Sequence, residues 1–150
     1  MPLTEVLGIP NVLRRNAEIL KSLKMEIERA LEKRAQETAT LAKEKAPDIT
    51  GNLRENITVD RPQALTRNVH TGNAIYAECV EFGTSPHWPP AEPLKRWALR
   101  VLGDEKAGYA IQRKIAAAGT EKQPFFRPAI EAVRPRYLAD MARLAKQVSG

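Results

Sequence analysis

The sequence predicts an α+β fold with a long N-terminal helix, a small antiparallel sheet and several C-terminal helices. The stripe over residues 11–46 recurs at steps of three or four with one wider step, and apolar residues recur at steps of three and four over residues 130–148, which is the period of an amphipathic helix. Between these stretches, residues 53–74 carry short alternating segments separated by turn residues, a pattern typical of strands. Because the helices and strands are segregated along the chain, the sequence favours α+β over an alternating parallel sheet.

The length of 150 residues fits one domain with a modest core. We divide the chain into four parts by their patterns. These are an N-terminal arm (1–10), a long helix (11–46), a β-rich part with a proline loop (47–93) and a helical part (94–150).

The long helix has one apolar stripe and clear end signals. Asn11 is a candidate N-cap, and Pro47 disfavours helical geometry at Ala46 and marks the end. The helix would span about 50 Å at 1.5 Å per residue, more than a chain of this size needs, so we expect part of its stripe to lie against another subunit. The stripe consists of Leu20, Leu23, Ile27, Leu31, Thr38 and Ala42.

The middle of the chain alternates between turns and short elements. Residues 48–52 have the composition of a turn, and a short helical turn then leads into a strand from about Asn56. Residues 66–74 form a second weak strand with Val69 inside and a bend at its end.

Residues 76–82 fit a short buried helix, which Gly83 ends in the way that a C′ glycine does. Residues 85–93 hold four prolines, and we expect an irregular loop there because proline lacks the amide proton that helix interiors and sheets need.

Three helices are predicted in the last third of the chain. The first contains Trp97 on its apolar stripe and is interrupted at Gly103, and the second runs up to Gly119. Pro128 fits the first turn of the final helix. Pro135 falls inside that helix, which predicts either a kink or a later start, from about Arg136.

The net charge of +6 is unevenly distributed. Residues 11–46, 94–122 and 127–150 carry charges of +3, +4 and +3, whereas residues 47–93 carry −3. Three interpretations stay open: solvated helix faces, an acidic region that meets the basic region of a neighbouring subunit, and a basic surface that faces DNA phosphates.

The residue types that carry out catalysis are poorly grouped. Cys79 is the only cysteine, so no internal disulfide forms, and its apolar neighbours predict a small buried hydrophobe. His70 and His87 lack further ligands at metal-binding spacing. We therefore expect no metal, no cofactor and no enzyme activity. No apolar run approaches the ~20 residues that span a bilayer, and the N-terminus lacks a secretory signal.

Glu78 and Glu81 stand three residues apart, which places them on one face of a helix. A pair of carboxylates can perform acid–base chemistry only where one of them has a shifted pKa. We interpret the pair as solvated or as facing an interface.

The aromatic residues are more informative because they make up only 5% of the chain. Trp97 is expected in the core. Trp88 and the Phe125–Phe126 pair lie in proline-flanked loops next to Arg127, where some exposure is expected, and exposed aromatic and arginine residues are typical interface anchors. The alternative is that they fold back to cap the protein's own core.

Three segments in order carry a family resemblance: Thr-Gly-Asn-Leu-Arg at 50–54, Tyr-Ala-Glu-Cys-Val-Glu-Phe-Gly-Thr at 76–84, and Pro-Phe-Phe-Arg-Pro-Ala at 124–129. Together they resemble the tail-completion and head–tail joining proteins of long-tailed bacteriophages, the group that includes lambda-type minor tail protein Z.

The resemblance implies a structural protein of the virion neck, assembled in the host bacterial cytoplasm. It implies a homo-oligomer, expected as a hexameric ring, that contacts head-closure or connector proteins and tail-terminator or tail-tube proteins. Genomic DNA would pass through the lumen without sequence-specific binding. A tail-terminator role and a small basic nucleic-acid-binding protein are the alternatives. The residues expected at contacts between subunits are Arg54, Glu81, Phe82, Trp88, Phe125, Phe126 and Arg127.

Overall fold

The structure, a computed structural model, describes residues 9–47, 52–74 and 76–149. It confirms the predicted α+β fold, with six helices and one two-stranded sheet in the described ranges. The elements in chain order are α1 (Ile9–Lys45), α2 (Asn52–Asn56), β1 (Thr58–Asp60), β2 (Asn68–His70), α3 (Ala77–Phe82), α4 (Ala91–Leu102), α5 (Ala107–Ala118) and α6 (Phe126–Ser149).

The helix ends correct two expectations from the sequence. Helix α1 begins at Ile9, so Asn11 lies inside the helix and is not its N-cap. Pro10 is accommodated because amide protons in the first turn have no intrahelical acceptor. Pro93 is accommodated in the same way, so α4 starts at Ala91 and the irregular loop is shorter than predicted. Most of the turn predicted at 48–52 lies outside the described residues.

Helix α6 runs from Phe126 to Ser149 with Pro135 inside it, so the predicted later start is wrong. Contacts before the proline explain this, because Ala129 and Val133 are both buried and fix the first turns of the helix. The part predicted as β-rich is mostly helix and loop, with two strands of three residues each.

The two strands pair antiparallel, with Val59 opposite Val69. Thr58 lies opposite His70 at one end of the ladder, and Asp60 opposite Asn68 at the other. His70 is exposed. The hairpin is bound to α1 from its loop, where the guanidinium of Arg67 lies 2.5 Å from a carboxylate oxygen of Glu32.

Helices α1 and α6 pack side by side in opposite directions. The guanidinium of Arg34 lies 2.8 Å from the carboxylate of Asp140, and Glu37 pairs with Arg136. Residue numbers therefore increase along α1 in the direction in which they decrease along α6, so the two helices are antiparallel. At the other end of the pair, Gln147 lines the same hollow as Glu26.

The core lies where the second half of α1 meets α2, α3 and the start of α6. Phe125 and Ile57 are the largest side chains that are almost completely buried. The predicted stripe of α1 is thus only partly right: Thr38 and Ala42 are buried, but Leu20 is 63% exposed. The buried residues of this cluster are Ala39, Ala42, Ala46, Leu53, Ile57, Ala74, Ala77, Phe125 and Ala129.

Helices α4 and α5 pack against each other as a hairpin between residues 84 and 120. Backbone hydrogen bonds between Thr84 and Thr120, 3.1 and 3.2 Å long, close its base. Trp97 is half-buried in the hairpin and not a residue of the main core, and its buried indole N–H has no hydrogen-bond partner among the described residues.

The burial of Phe125 gives a first testable prediction. Phe125→Ala should lower the free energy of unfolding by about 3–5 kcal/mol, because truncating a buried aromatic side chain leaves a cavity. Urea denaturation followed by circular dichroism measures it. Trp88→Ala is the matched control, since the Trp88 side chain is 70% exposed. Equal stability of the two variants would contradict the assignment of Phe125 to the core.

Candidate functional site

The segments that carry the family resemblance meet at one place in the structure. Leu53 from the first segment, Ala77 from the second, and Phe125 and Ala129 from the third belong to the same buried cluster. The core therefore holds the residues of these three segments together. The hydrogen-bond partners of the polar side chains among them show what each side chain does.

Glu81 makes the most specific of these polar contacts. One carboxylate oxygen accepts the backbone N–H groups of Phe125 (2.8 Å) and Phe126 (2.9 Å). The other accepts the N–H of Arg127 at 2.9 Å. These amides open α6, where N–H groups have no acceptor within the helix. Glu81 thus caps α6 from another helix, and its negative charge is favourable at the positive end of the helix dipole.

The environment of Glu81 shifts its acidity. Its side chain is only 7% exposed, and burial by itself would raise the pKa. The three backbone N–H donors, helped by the charge of Arg127, outweigh burial and hold the pKa of Glu81 below its ordinary value of 4.5. The carboxylate is thus ionised at neutral pH, as a group that accepts several N–H bonds should be.

This result corrects the interpretation of the glutamate pair. Glu78 is exposed and Glu81 is buried, so the two do not form a solvated pair on one face. Cys79 is also misassigned, because its thiol is exposed. The buried positions of α3 are Ala77 and Glu81, four residues apart on one face, and a residue midway between them points to the opposite side.

Arg54 has a comparable structural role at the end of α1. Its Nε and one of its terminal nitrogens donate to the backbone carbonyl of Ala46, at 3.1 and 3.0 Å. Carbonyl groups in the last turn of a helix have no intrahelical donor, and a basic side chain satisfies them favourably. Arg54 therefore joins α2 to the end of α1.

The aromatic residues predicted as interface anchors divide into two groups. Phe125 is buried in the core, so its expected exposure is wrong and the alternative, that it packs on the protein's own core, is confirmed. Phe126 packs edge-on against it, with ring centroids 6.1 Å apart. Trp88 and Phe82 are 70% and 63% exposed, and the guanidinium of Arg127 lies over the Phe82 ring, 5.8 Å from its centroid. For these three exposed residues the interface role stays a prediction.

Close backbone approach explains the glycines that flank this region. Gly83 has φ = 72°, and a Cβ atom there would lie 2.5 Å from the carbonyl oxygen of Thr120. Gly119 has φ = 73°, and a Cβ atom there would approach the carbonyl oxygen of Thr84 even more closely. Only glycine fits both the backbone conformation and the space. The predicted helix ends at Gly83 and Gly119 are confirmed, but the sequence did not predict the close approach of the two segments.

Two further polar contacts were missed by sequence reasoning. Arg67 is 6% exposed and contacts Glu32, and Arg34 joins Asp140 to α1. Hydrogen bonds from Gln36 and Arg67 hold the pKa of Glu32 low, and the bond from Arg34 does the same for Asp140. No local sequence motif predicts either ion pair, because the partners lie far apart in sequence.

Within the described ranges, no group of three or more His, Cys, Asp or Glu residues is placed to hold a metal ion. None of the helices described there combines the length and the apolarity that crossing a membrane requires.

We expect Glu81→Gln to lower the free energy of unfolding by about 1–3 kcal/mol, because the amide nitrogen cannot accept an N–H bond and leaves buried donors unsatisfied. Glu78→Gln is the matched control on the same helix, and it should change stability by less than about 0.5 kcal/mol. Urea denaturation at pH 7 measures both. If the two variants lose the same stability, Glu81 does not cap α6.

The same variant tests how the stability of the protein depends on pH. The folded-state pKa of Glu81 lies below its ordinary value, so its contribution is fully present above about pH 5 and is lost as the pH falls through the folded-state pKa. Stability measured from pH 7 down to pH 3 should therefore fall less steeply for Glu81→Gln than for the wild type. Parallel curves would contradict this.

Residues 12–83 match a protein-family model described as "Bacteriophage HK97-gp10, putative tail-component". The match covers α1 through α3 and ends at Gly83, immediately before the α4–α5 hairpin. It supports a phage tail family and a structural, tail-related role. The comparisons with curated proteins and with solved structures found no significant match.

Proposed function

We propose, from the similarity of residues 12–83 to a phage tail-component family, that this chain is a structural protein of the head–tail junction of a long-tailed phage or prophage. It acts by contact, as a ring of identical copies joined to neck proteins on one side and to tail-terminator or tail-tube proteins on the other. The ring would be hexameric to match a six-fold tail tube, and its bore would pass the genome without sequence-specific binding.

The observation that carries the proposal is the family match combined with the use of the motif residues. Glu81, Arg54 and Phe125 are all committed to holding the fold. The conspicuous residues therefore build a rigid subunit and leave its surface for contacts. A part that works by assembly needs such a subunit.

The surface itself supports contact with other proteins. Large apolar side chains are exposed on several elements. Trp88 and Phe82 flank the base of the α4–α5 hairpin, and Arg127 lies over Phe82. Aromatic and arginine residues of this kind are enriched at protein interfaces. Others are Val12, Leu13, Leu20, Leu99 and Leu102.

A nucleic-acid-binding role is the alternative from a different class, and the net charge of +6 favours it. Several basic residues, however, are used inside the subunit: Arg34 pairs with Asp140, Arg67 with Glu32, and Arg61 with Glu28. Charges that are neutralised in this way contribute little to a DNA-binding surface. A tail-terminator role shares the family similarity and differs from the proposal in position within the tail.

The experiment is complementation of a phage or prophage from which this gene is deleted. Loss of the gene should give unjoined heads and tails, and the wild-type protein should be found in purified joined particles by mass spectrometry. Trp88→Ala should fold with unchanged stability and be incorporated at least ten-fold less, because it removes an exposed aromatic anchor. Leu138→Ala serves as the control, since Leu138 is an exposed apolar residue elsewhere.

Salt separates this proposal from DNA binding. Association of copies through apolar contacts should persist from 50 to 200 mM salt, whereas DNA binding through many phosphate contacts should weaken by orders of magnitude over about that range. Absence of the protein from particles, together with salt-sensitive DNA binding, would overturn the proposal.

A further inference from the structure

The first part of α1 extends beyond the end of α6. Every side chain from residue 10 to residue 22 is exposed, because α6 ends where Gln147 lines the same hollow as Glu26. We call residues 10–22 the projecting segment, and it is about 20 Å long at 1.5 Å per residue. Its large apolar side chains are Val12, Leu13, Ile19 and Leu20.

The exposed apolar face of the projecting segment is a continuation of the face that α6 covers. Starting at Val12, steps of three and four follow one line along α1, which is the period of a single helix face. The line ends at Arg34 and Glu37, which both pair with residues of α6. A second helix that continued the course of α6 would therefore lie against the projecting segment. The residues on the line are Val12, Asn16, Ile19, Leu23, Ile27, Ala30, Arg34 and Glu37.

We propose that the projecting segments of two copies of this chain pack against each other in opposite directions, around a two-fold axis at Asn16. In this register Val12 of one copy lies beside Ile19 of the other, and Leu13 lies beside Leu20. Every large apolar side chain of the segment thus meets another one. The two Asn16 side chains meet at the axis, where each amide can both donate and accept a hydrogen bond. A single Asn in an apolar seam between helices specifies the register of the pair.

The subunit itself decides the direction of packing. In the antiparallel pair, the segment of the second copy begins beside the end of α6 and runs in the same direction as α6. It therefore covers the part of the line that α6 leaves open, and the two subunits lie at opposite ends of the pair. In a parallel pair, the α1 helix of each copy would run into the space that α6 of the other copy occupies, because the seam and α6 share one face of α1.

The charged side chains of this region lie mostly on the far side of the helix from the seam. The nearest two, Arg15 and Lys24, lie about 80–100° around the helix axis from Asn16. Because the region of each copy carries four basic residues against one acidic residue, like charges oppose the contact and salt should strengthen it. The remaining charged residues, about 140–160° from Asn16, are Arg14, Glu18 and Lys21.

The contact uses the same surface on both copies, so it is isologous and closes on itself as a dimer. A ring needs a different surface. The inference therefore concerns the free protein, and it does not rest on the proposed function.

The first test measures the mass of full-length variants by analytical ultracentrifugation. Leu20→Glu should weaken the dimer by at least about ten-fold, because it places a carboxylate in the apolar seam of each copy. Met25→Glu is the matched control, since Met25 is also an exposed apolar residue of α1 but lies about 140° around the helix from Leu20. The wild type and the control should be dimers, and circular dichroism with urea denaturation should show that all three fold equally well.

Salt gives a second readout of the same contact. The dimer should become tighter between about 0.01 and 0.15 M salt, over which the Debye length falls from about 30 to about 8 Å. A wild type that is monomeric at its highest soluble concentration overturns the inference, as does a dimer that salt weakens or that Leu20→Glu leaves as tight as the control. If the wild type is monomeric but Leu20→Glu is lost from purified particles, the segment binds a different tail protein. In that case the junction role stands and this dimer does not.

Disulfide cross-linking tests the register. The variants L13C and L20C are made in a Cys79→Ser background, because the native thiol is exposed. In the antiparallel pair, equivalent positions lie about 9–12 Å apart along the axis, which is too far for a disulfide. Oxidation should therefore link L13C to L20C when the two proteins are mixed, and it should link neither protein to itself. Self-linked products without the mixed one, or no disulfide at all, overturn the inference.

Discussion

Capping of α6 by the Glu81 carboxylate is the interaction on which the rest of the structure depends. Its three hydrogen bonds fix the backbone of residues 125–127, and this position places Phe125 in the core and directs α6 along α1. The bridge between Thr84 and Thr120 secures the same two chain segments a few residues away. A buried carboxylate is costly unless its lone pairs are satisfied, and here backbone amides that need an acceptor satisfy them.

This arrangement explains why the recognisable segments of the chain resemble a family without containing a catalytic motif. Glu81 and Arg54 are polar residues in conspicuous positions, yet each satisfies the end of a helix. Gly83 lies against the backbone of the opposite segment. These residue types are required at their positions because the geometry of the subunit needs them. A family of structural proteins can share such residues while its contact surfaces differ.

The sequence predicted most helices, but it predicted less well which of their residues are buried and what they contact. Helix α1 was predictable because an unbroken helical period and Pro47 define it locally. Periodicity does not reveal what covers the stripe, and Leu20 is exposed because α6 is too short to reach it. Phe125 was assigned to an exposed loop because prolines flank it, but its burial depends on Glu81, 44 residues earlier. Contacts of this kind are tertiary, and no local pattern encodes them.

Capping of α6 by Glu81 can be measured through the carboxyl ¹³C chemical shift of Glu81, followed by NMR as a function of pH in the native protein. We expect a midpoint below the ordinary value of 4.5, with the amide protons of Phe125, Phe126 and Arg127 shifting at the same midpoint. A Glu81 midpoint at or above the ordinary value, with these amide protons unaffected, would contradict it.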